Sequence, residues 1–186
     1  LTSGAANTAI GYNAGVALTT GERNVVVGYS SLSQATTEAD DNVVIGYQSM
    51  DGNWSTATVN DCVVVGNRAL RGVLTGTDGS DGASGTIAIG YGSLAALTSG
   101  ANNLAIGSNA LDAVTTSSGN LAIGKAALGA FNRTADTSGD NVSIGYSSSE
   151  LLATGYKNTA IGMSAFKTST DADECVFIGH SAGKDG

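Results

Sequence analysis

Residues able to do chemistry are few in this chain of 186 residues, and their types point to binding before catalysis. Trp54 stands beside Asp51 and Asn53, while Tyr12, Tyr29 and Tyr47 each follow a glycine at a recurring position. Exposed rings stack on sugar rings while nearby carboxylates and amides bond to hydroxyls, so these residues are the candidate receptor or saccharide contacts. Asp78 and Asp81, in the stretch DGSDG, could hold a calcium ion weakly; no other cofactor is expected. The single histidine, His180, reads as a surface residue. It is out of phase with the serine run Ser147 to Ser149, which reads as a turn, so no Ser–His nucleophile is assembled. Without a triad, a metal-ligand cluster or a phosphate loop, the chain is not expected to be an enzyme.

What positions these side chains is a repeat. A short apolar run ending in glycine recurs at Gly11, Gly28, Gly46, Gly66, Gly90, Gly107, Gly124, Gly145, Gly162 and Gly179. These glycines are 17, 18, 20, 24, 17, 17, 21, 17 and 17 residues apart, a period of 17 with insertions of 1, 3, 7 and 4. The longer insertions, around 51–61, 71–86 and 129–141, enter at one phase and should project from one edge. The opening LTSGAANTAIGY returns at Leu97 as LTSGANNLAIGS, so the chain starts partway through a unit. Residues 1–186 are expected to be a single repeat domain, a stretch of a longer fibrous chain.

Charged residues make up only 13% of the chain, glycine reaches 27 residues and proline is absent. The net charge of −8 argues against nucleic acid, which would call for basic stripes. The apolar runs are too short to cross a membrane. An all-β architecture fits: a parallel β-solenoid of about ten 17-residue coils, stacked at roughly 4.8 Å. Asn7, Asn24, Asn42, Asn103, Asn120, Asn141 and Asn158 all lie four before the anchor glycine, placed to hydrogen-bond from rung to rung. Cys62 and Cys175 hold that same position six coils apart, roughly 29 Å along the rod, too far to pair within a chain. They read as buried thiols, with bridging between chains as the alternative.

Residues two apart share one face of a strand. The larger aliphatics of each run, such as Val25 with Val27 or Leu104 with Ile106, are expected to line the inside. The residue between them then points outward: Ala9, Val26, Val44, Val64, Ala88, Ala105, Ala122 and Ala160. So continuous an apolar stripe needs cover, and it is expected to be the interface of a homotrimer. After each glycine comes an Ala or Ser at the third position and usually a large apolar residue at the fourth, such as Leu32, Met50, Leu70 or Phe166. A second short strand is expected there, with nearby Leu18 and Leu151 standing in where Gly15, Ser149 and Gly183 break the rule.

The phrases NTAIG, NLAIG and NVSIG, each followed after two residues by a small one, resemble the head repeats of trimeric autotransporter adhesins. The fuller phrase NTAIGYNAG, with LTTG and a new Asn-led strand, is closer still to repeats of phage tail fibres and related receptor-binding appendages. The resemblance covers nearly the whole chain, but the 17-residue period is longer than the adhesin unit. It implies a left-handed β-roll, a homotrimeric rod, an extracellular place on a virion or cell surface, and a host glycan or protein as receptor. The expected function is a structural and receptor-binding segment of a trimeric fibre, with the head of a bacterial surface adhesin as the alternative. Ice binding is a third reading, from Thr19, Thr20, Thr36, Thr37, Thr98, Thr115 and Thr116. Adjacent threonines point to opposite faces and make no flat array, which counts against it. Trp54→Ala is expected to leave the melting temperature nearly unchanged and to lower binding to host cells or a glycan array. Unaltered binding, or ready unfolding, would remove Trp54 from the receptor surface.

Overall fold

Each repeat contributes one three-residue strand, the apolar run before its anchor glycine. In order these are β1 (Thr8–Ile10), β2 (Val25–Val27), β3 (Val43–Ile45), β4 (Val63–Val65), β5 (Ile87–Ile89), β6 (Leu104–Ile106), β7 (Leu121–Ile123), β8 (Val142–Ile144), β9 (Thr159–Ile161) and β10 (Val176–Ile178). The strands form one parallel sheet in chain order, and its register is the register of the repeat: Ala105 sits between Ala88 and Ala122. The computed structural model describes residues 4–34, 39–52, 58–75, 82–133 and 138–183, and over them the chain is an all-β parallel β-solenoid of about nine turns.

Hydrogen bonds run along the rod at the corners as well as in the sheet. Around one coil, Leu104 N–H donates to Asn120 O at 2.8 Å, Gly107 N–H to Ile89 O at 2.8 Å, Asn109 N–H to Tyr91 O at 2.9 Å and Leu111 N–H to Ala127 O at 3.1 Å. The anchor glycine is a point of close backbone approach that recurs from unit to unit. Its φ lies between 126 and 145° in every unit, and from Gly11 to Gly162 a Cβ would stand 2.2 to 2.6 Å from the carbonyl oxygen of the next anchor glycine. Only glycine satisfies both conditions.

The segment after the glycine is a chain of turns, not the second strand expected there. Its second and fourth residues take left-handed conformations, as at Asn109 (φ 57°) and Leu111 (φ 52°), and the pattern recurs at Arg68 and Leu70. Adjacent residues consequently point inward together: Ala110 with Leu111 and Ala69 with Leu70 are fully buried pairs, which no strand can provide. A leucine held left-handed costs roughly 1–2 kcal/mol, and burying its side chain returns roughly 1.5–3 kcal/mol. Where Ser149 replaces that leucine, Leu152 fills the interior while Leu151 stays 46% exposed, correcting the expected substitute.

The two faces of the strand are the reverse of those expected. Val26, Val44, Val64, Ala88, Ala105, Ala122 and Ala160, assigned to the outer stripe, are all fully buried. Ala9 belongs to the same column by register but is exposed in the first coil. The cause is the width of the coil. Leucines from the turn segment and from the following bend, such as Leu111 with Val114 and Leu94 with Leu97, already fill the interior. The space left beside the strand takes only a small side chain. The exception proves the volume limit: Phe177 occupies this column opposite Gly183, where a Cβ would stand 2.4 Å from its ring, and it stacks on Phe166 at 4.5 Å. Ser143, the polar member of the column, is satisfied internally by donating to Ser148 O at 2.8 Å.

The asparagine ladder forms as expected. Asn24 Nδ2 donates to Asn7 Oδ1 at 3.0 Å and Asn42 Nδ2 to Asn24 Oδ1 at 3.1 Å; Asn120, Asn141 and Asn158 continue it from Asn103. These amides are buried from Asn24 onward, so each must be paired, and the repeat supplies the partner. Because the middle strand column is inside, Ala105→Asp is expected to destabilise the coil itself by about 3–5 kcal/mol. Circular-dichroism melts check this, with Ile106→Asp as the folded control. An Ala105→Asp chain that melts with the wild type would return that column to the outside.

Candidate functional site

The strand residues that flank the buried column face solvent and form two parallel aliphatic files. One runs through Val25, Val43, Val63, Ile87, Leu104, Leu121 and Val142, the other through Val27, Ile45, Val65, Ile89, Ile106, Ile123, Ile144 and Ile161. Val25 on the second rung is 38% and Ile45 on the third 37% exposed, and the members on β4 to β9 are half-buried. Thr8 and Thr159 are the non-aliphatic members, and no charge falls in either file. A continuous apolar surface along the whole sheet is unusual on a soluble chain standing alone.

The tyrosines expected to stack do so. Tyr12 and Tyr29 lie 5.1 Å apart and nearly parallel, Tyr29 and Tyr47 5.4 Å apart, and all three rings are exposed. Asp51 is not among them. It lies further round the same coil, accepts a hydrogen bond from Ser33 Oγ, and lines a groove with Arg68, Arg71, Tyr91 and Asn109. The groove brings Asp51 together with Tyr91, which holds the same position after its anchor glycine as Tyr12, Tyr29 and Tyr47. Asn53, Trp54, Asp78, Asp81, Thr36 and Thr37 lie outside the described residues. The insertions rejoin the coil at one phase. A Cβ on Gly52 would meet Gly72 O, the chain returns to the interior at Val59 and Ala83, and Ser138 pairs with Ser118 where the third insertion rejoins.

The sequence reading missed the two arginines of the groove, because arginine near an insertion reads as ordinary surface. The signal that could have found them is the repeat: Gly92 stands where the neighbouring units carry Gln48, Arg68 and Asn109. His180 is exposed, and the serines 147, 148 and 149 are buried, with Ser148 Oγ donating to Ala160 O at 3.1 Å. Comparison with protein-family models, curated proteins and solved structures gives no match.

Both cysteines are free thiols. Cys62 is fully buried, its Sγ 3.2 Å from Ala83 O, and burial pushes its pKa up to about 11. At pH 8 the reactive thiolate is then on the order of one part in a thousand. In a Cys175→Ser chain, Cys62 is expected to resist iodoacetamide at pH 8 while folded and to react fully in guanidinium. Rapid labelling of the folded chain would place Cys62 at the surface.

Proposed function

We propose that this chain is a segment of a homotrimeric fibre, a rigid rod that attaches to a host cell surface, as in a phage tail fibre or similar appendage. The observation that carries this reading is the pair of aliphatic files along the sheet, half-buried in the middle coils and exposed towards the ends. A surface that is apolar on successive rungs and free of charge favours burial against another copy of itself. Three chains about one axis along the rod would cover three such faces at once, and the repeat keeps every rung in step with its neighbours. The interface so proposed consists of Val25, Val27, Leu104, Ile106 and their equivalents, and replaces the small column that lies inside the coil.

The sequence resemblance supports the same assembly and supplies the left-handed winding, the extracellular setting and the fibre role. A bacterial adhesin head would rest on the same packing and is the second reading, favoured by the phrases NTAIG and NLAIG. Receptor contacts would sit on the parts of the coil free of packing demands, the insertions and the exposed tyrosine file. Three copies on one rod make even weak contacts effective on a dense glycan surface.

Light scattering is expected to give three times the 18.3 kDa chain mass at micromolar concentration. Ile106→Asp combined with Ile123→Asp should yield a folded monomer, because it places charge on the apolar face and leaves the interior intact. A soluble wild-type monomer would overturn the trimer, as would an undisturbed oligomer in the double variant.

A further inference from the structure

The groove that Asp51 lines has a volume of about 390 Å³ and crosses adjacent coils, with Arg68, Arg71, Val73, Tyr91 and Asn109 around it. We propose that it binds an acidic saccharide, holding a sugar carboxylate between the guanidinium groups of Arg68 and Arg71. This rests on the attachment reading above and names a ligand class for it.

The arginines carry the inference. The chain has arginines at 23, 68, 71 and 133. Arg23 is tied to Asp41 at 2.6 Å and to Glu22 at 2.7 Å, and Arg133 lies over the Tyr156 ring at 4.1 Å. Arg68 and Arg71 are exposed and have no ion pair or side-chain hydrogen bond among the described residues. In a chain of net charge −8, two unpaired guanidiniums in one groove form a local positive site. Asp51, the carboxylate in the groove, accepts a hydrogen bond from Ser33, and its one negative charge is outweighed by the two guanidiniums. The guanidinium fork matches a carboxylate with two parallel hydrogen bonds, a geometry lysine cannot reproduce.

The remaining walls suit a sugar. Tyr91 is 53% and Val73 52% exposed, offering apolar faces to the C–H side of a pyranose ring. Asn109 is oriented by donating to Asp112 at 2.7 Å and keeps a second N–H for a hydroxyl. The volume lies within the range of small-molecule sites. Gly92 keeps the space open. Its φ of 62° is matched by Gln48, Arg68, Asn109 and Ala126 in the same file, so the backbone tolerates a side chain there. A Cβ on Gly92 would come no nearer than 3.6 Å to Asn109 Oδ1, so a side chain would enter the groove without displacing backbone.

The test is a calorimetric and NMR titration of the native assembly with a tetrasaccharide of alternating glucuronate and N-acetylglucosamine, with chitotetraose as the neutral control and inorganic phosphate as a second anion. Binding of the acidic tetrasaccharide with millimolar affinity is expected, and none of chitotetraose. Arg68→Gln and Arg71→Gln should each weaken it at least about tenfold, Gly92→Gln should do the same by filling the groove, and Arg23→Gln should leave it unchanged. Melting curves confirm that each variant is folded. No binding, equal binding of the neutral sugar, binding of phosphate alone, or full affinity in Gly92→Gln would each overturn the site. Light scattering on the same samples separates the two claims: a trimer that ignores the sugar overturns the groove and spares the fibre, and a monomer that binds it does the reverse.

Discussion

The fold depends on one constraint: each coil must lie on the next at hydrogen-bonding distance all the way round its circuit. At the anchor glycines from Gly11 to Gly162 that distance leaves no room for a side chain, because the carbonyl of one unit occupies the volume a Cβ would need in the unit before. Once those glycines stack, the strands before them are in register and the turns after them are carried into line. The left-handed residues of the turn segment follow from the same demand, since they aim N–H groups alternately at the coil before and the coil after.

The constraint also decides which surface is left over. A 17-residue circuit encloses little space, and the leucines of the turns use most of it. What remains beside the strand admits alanine, valine or serine, so the larger aliphatics are turned outward. The apolar face offered for assembly is therefore a by-product of a narrow core. In the proposed fibre, assembly would complete the burial that a single coil cannot achieve, and recognition would fall to the groove, the tyrosine file and the insertions.

The solenoid, its register, the asparagine ladder and the stacked Tyr12, Tyr29 and Tyr47 were all legible in the sequence, because each is a property of a column and columns survive alignment. The strand faces were not. Size suggested that Leu104 and Ile106 should be inside, but the decisive clue was parity: Asn103 lies next to Leu104 and two residues from Ala105, so a buried asparagine ladder brings the alanine column in with it. The turn segment was misread for a related reason. An Ala–Leu pair looks half like a strand until the left-handed leucine is allowed for, and a leucine in that conformation is not what its type predicts. Arg68 and Arg71 were invisible as a pair because their meaning depends on the absence of a side chain at Gly92 in the next unit.

The central claim is that Ile106 and its equivalents face another copy of the chain while Ala105 and its equivalents face inward. It is tested most directly by isotope-filtered methyl NMR on an assembly mixed from labelled and unlabelled chains. The account predicts interchain contacts at the methyl groups of Ile106, Ile123 and Ile144, and contacts within one chain only at Ala105 and Ala122. Interchain contacts at the alanines and none at the isoleucines would contradict it.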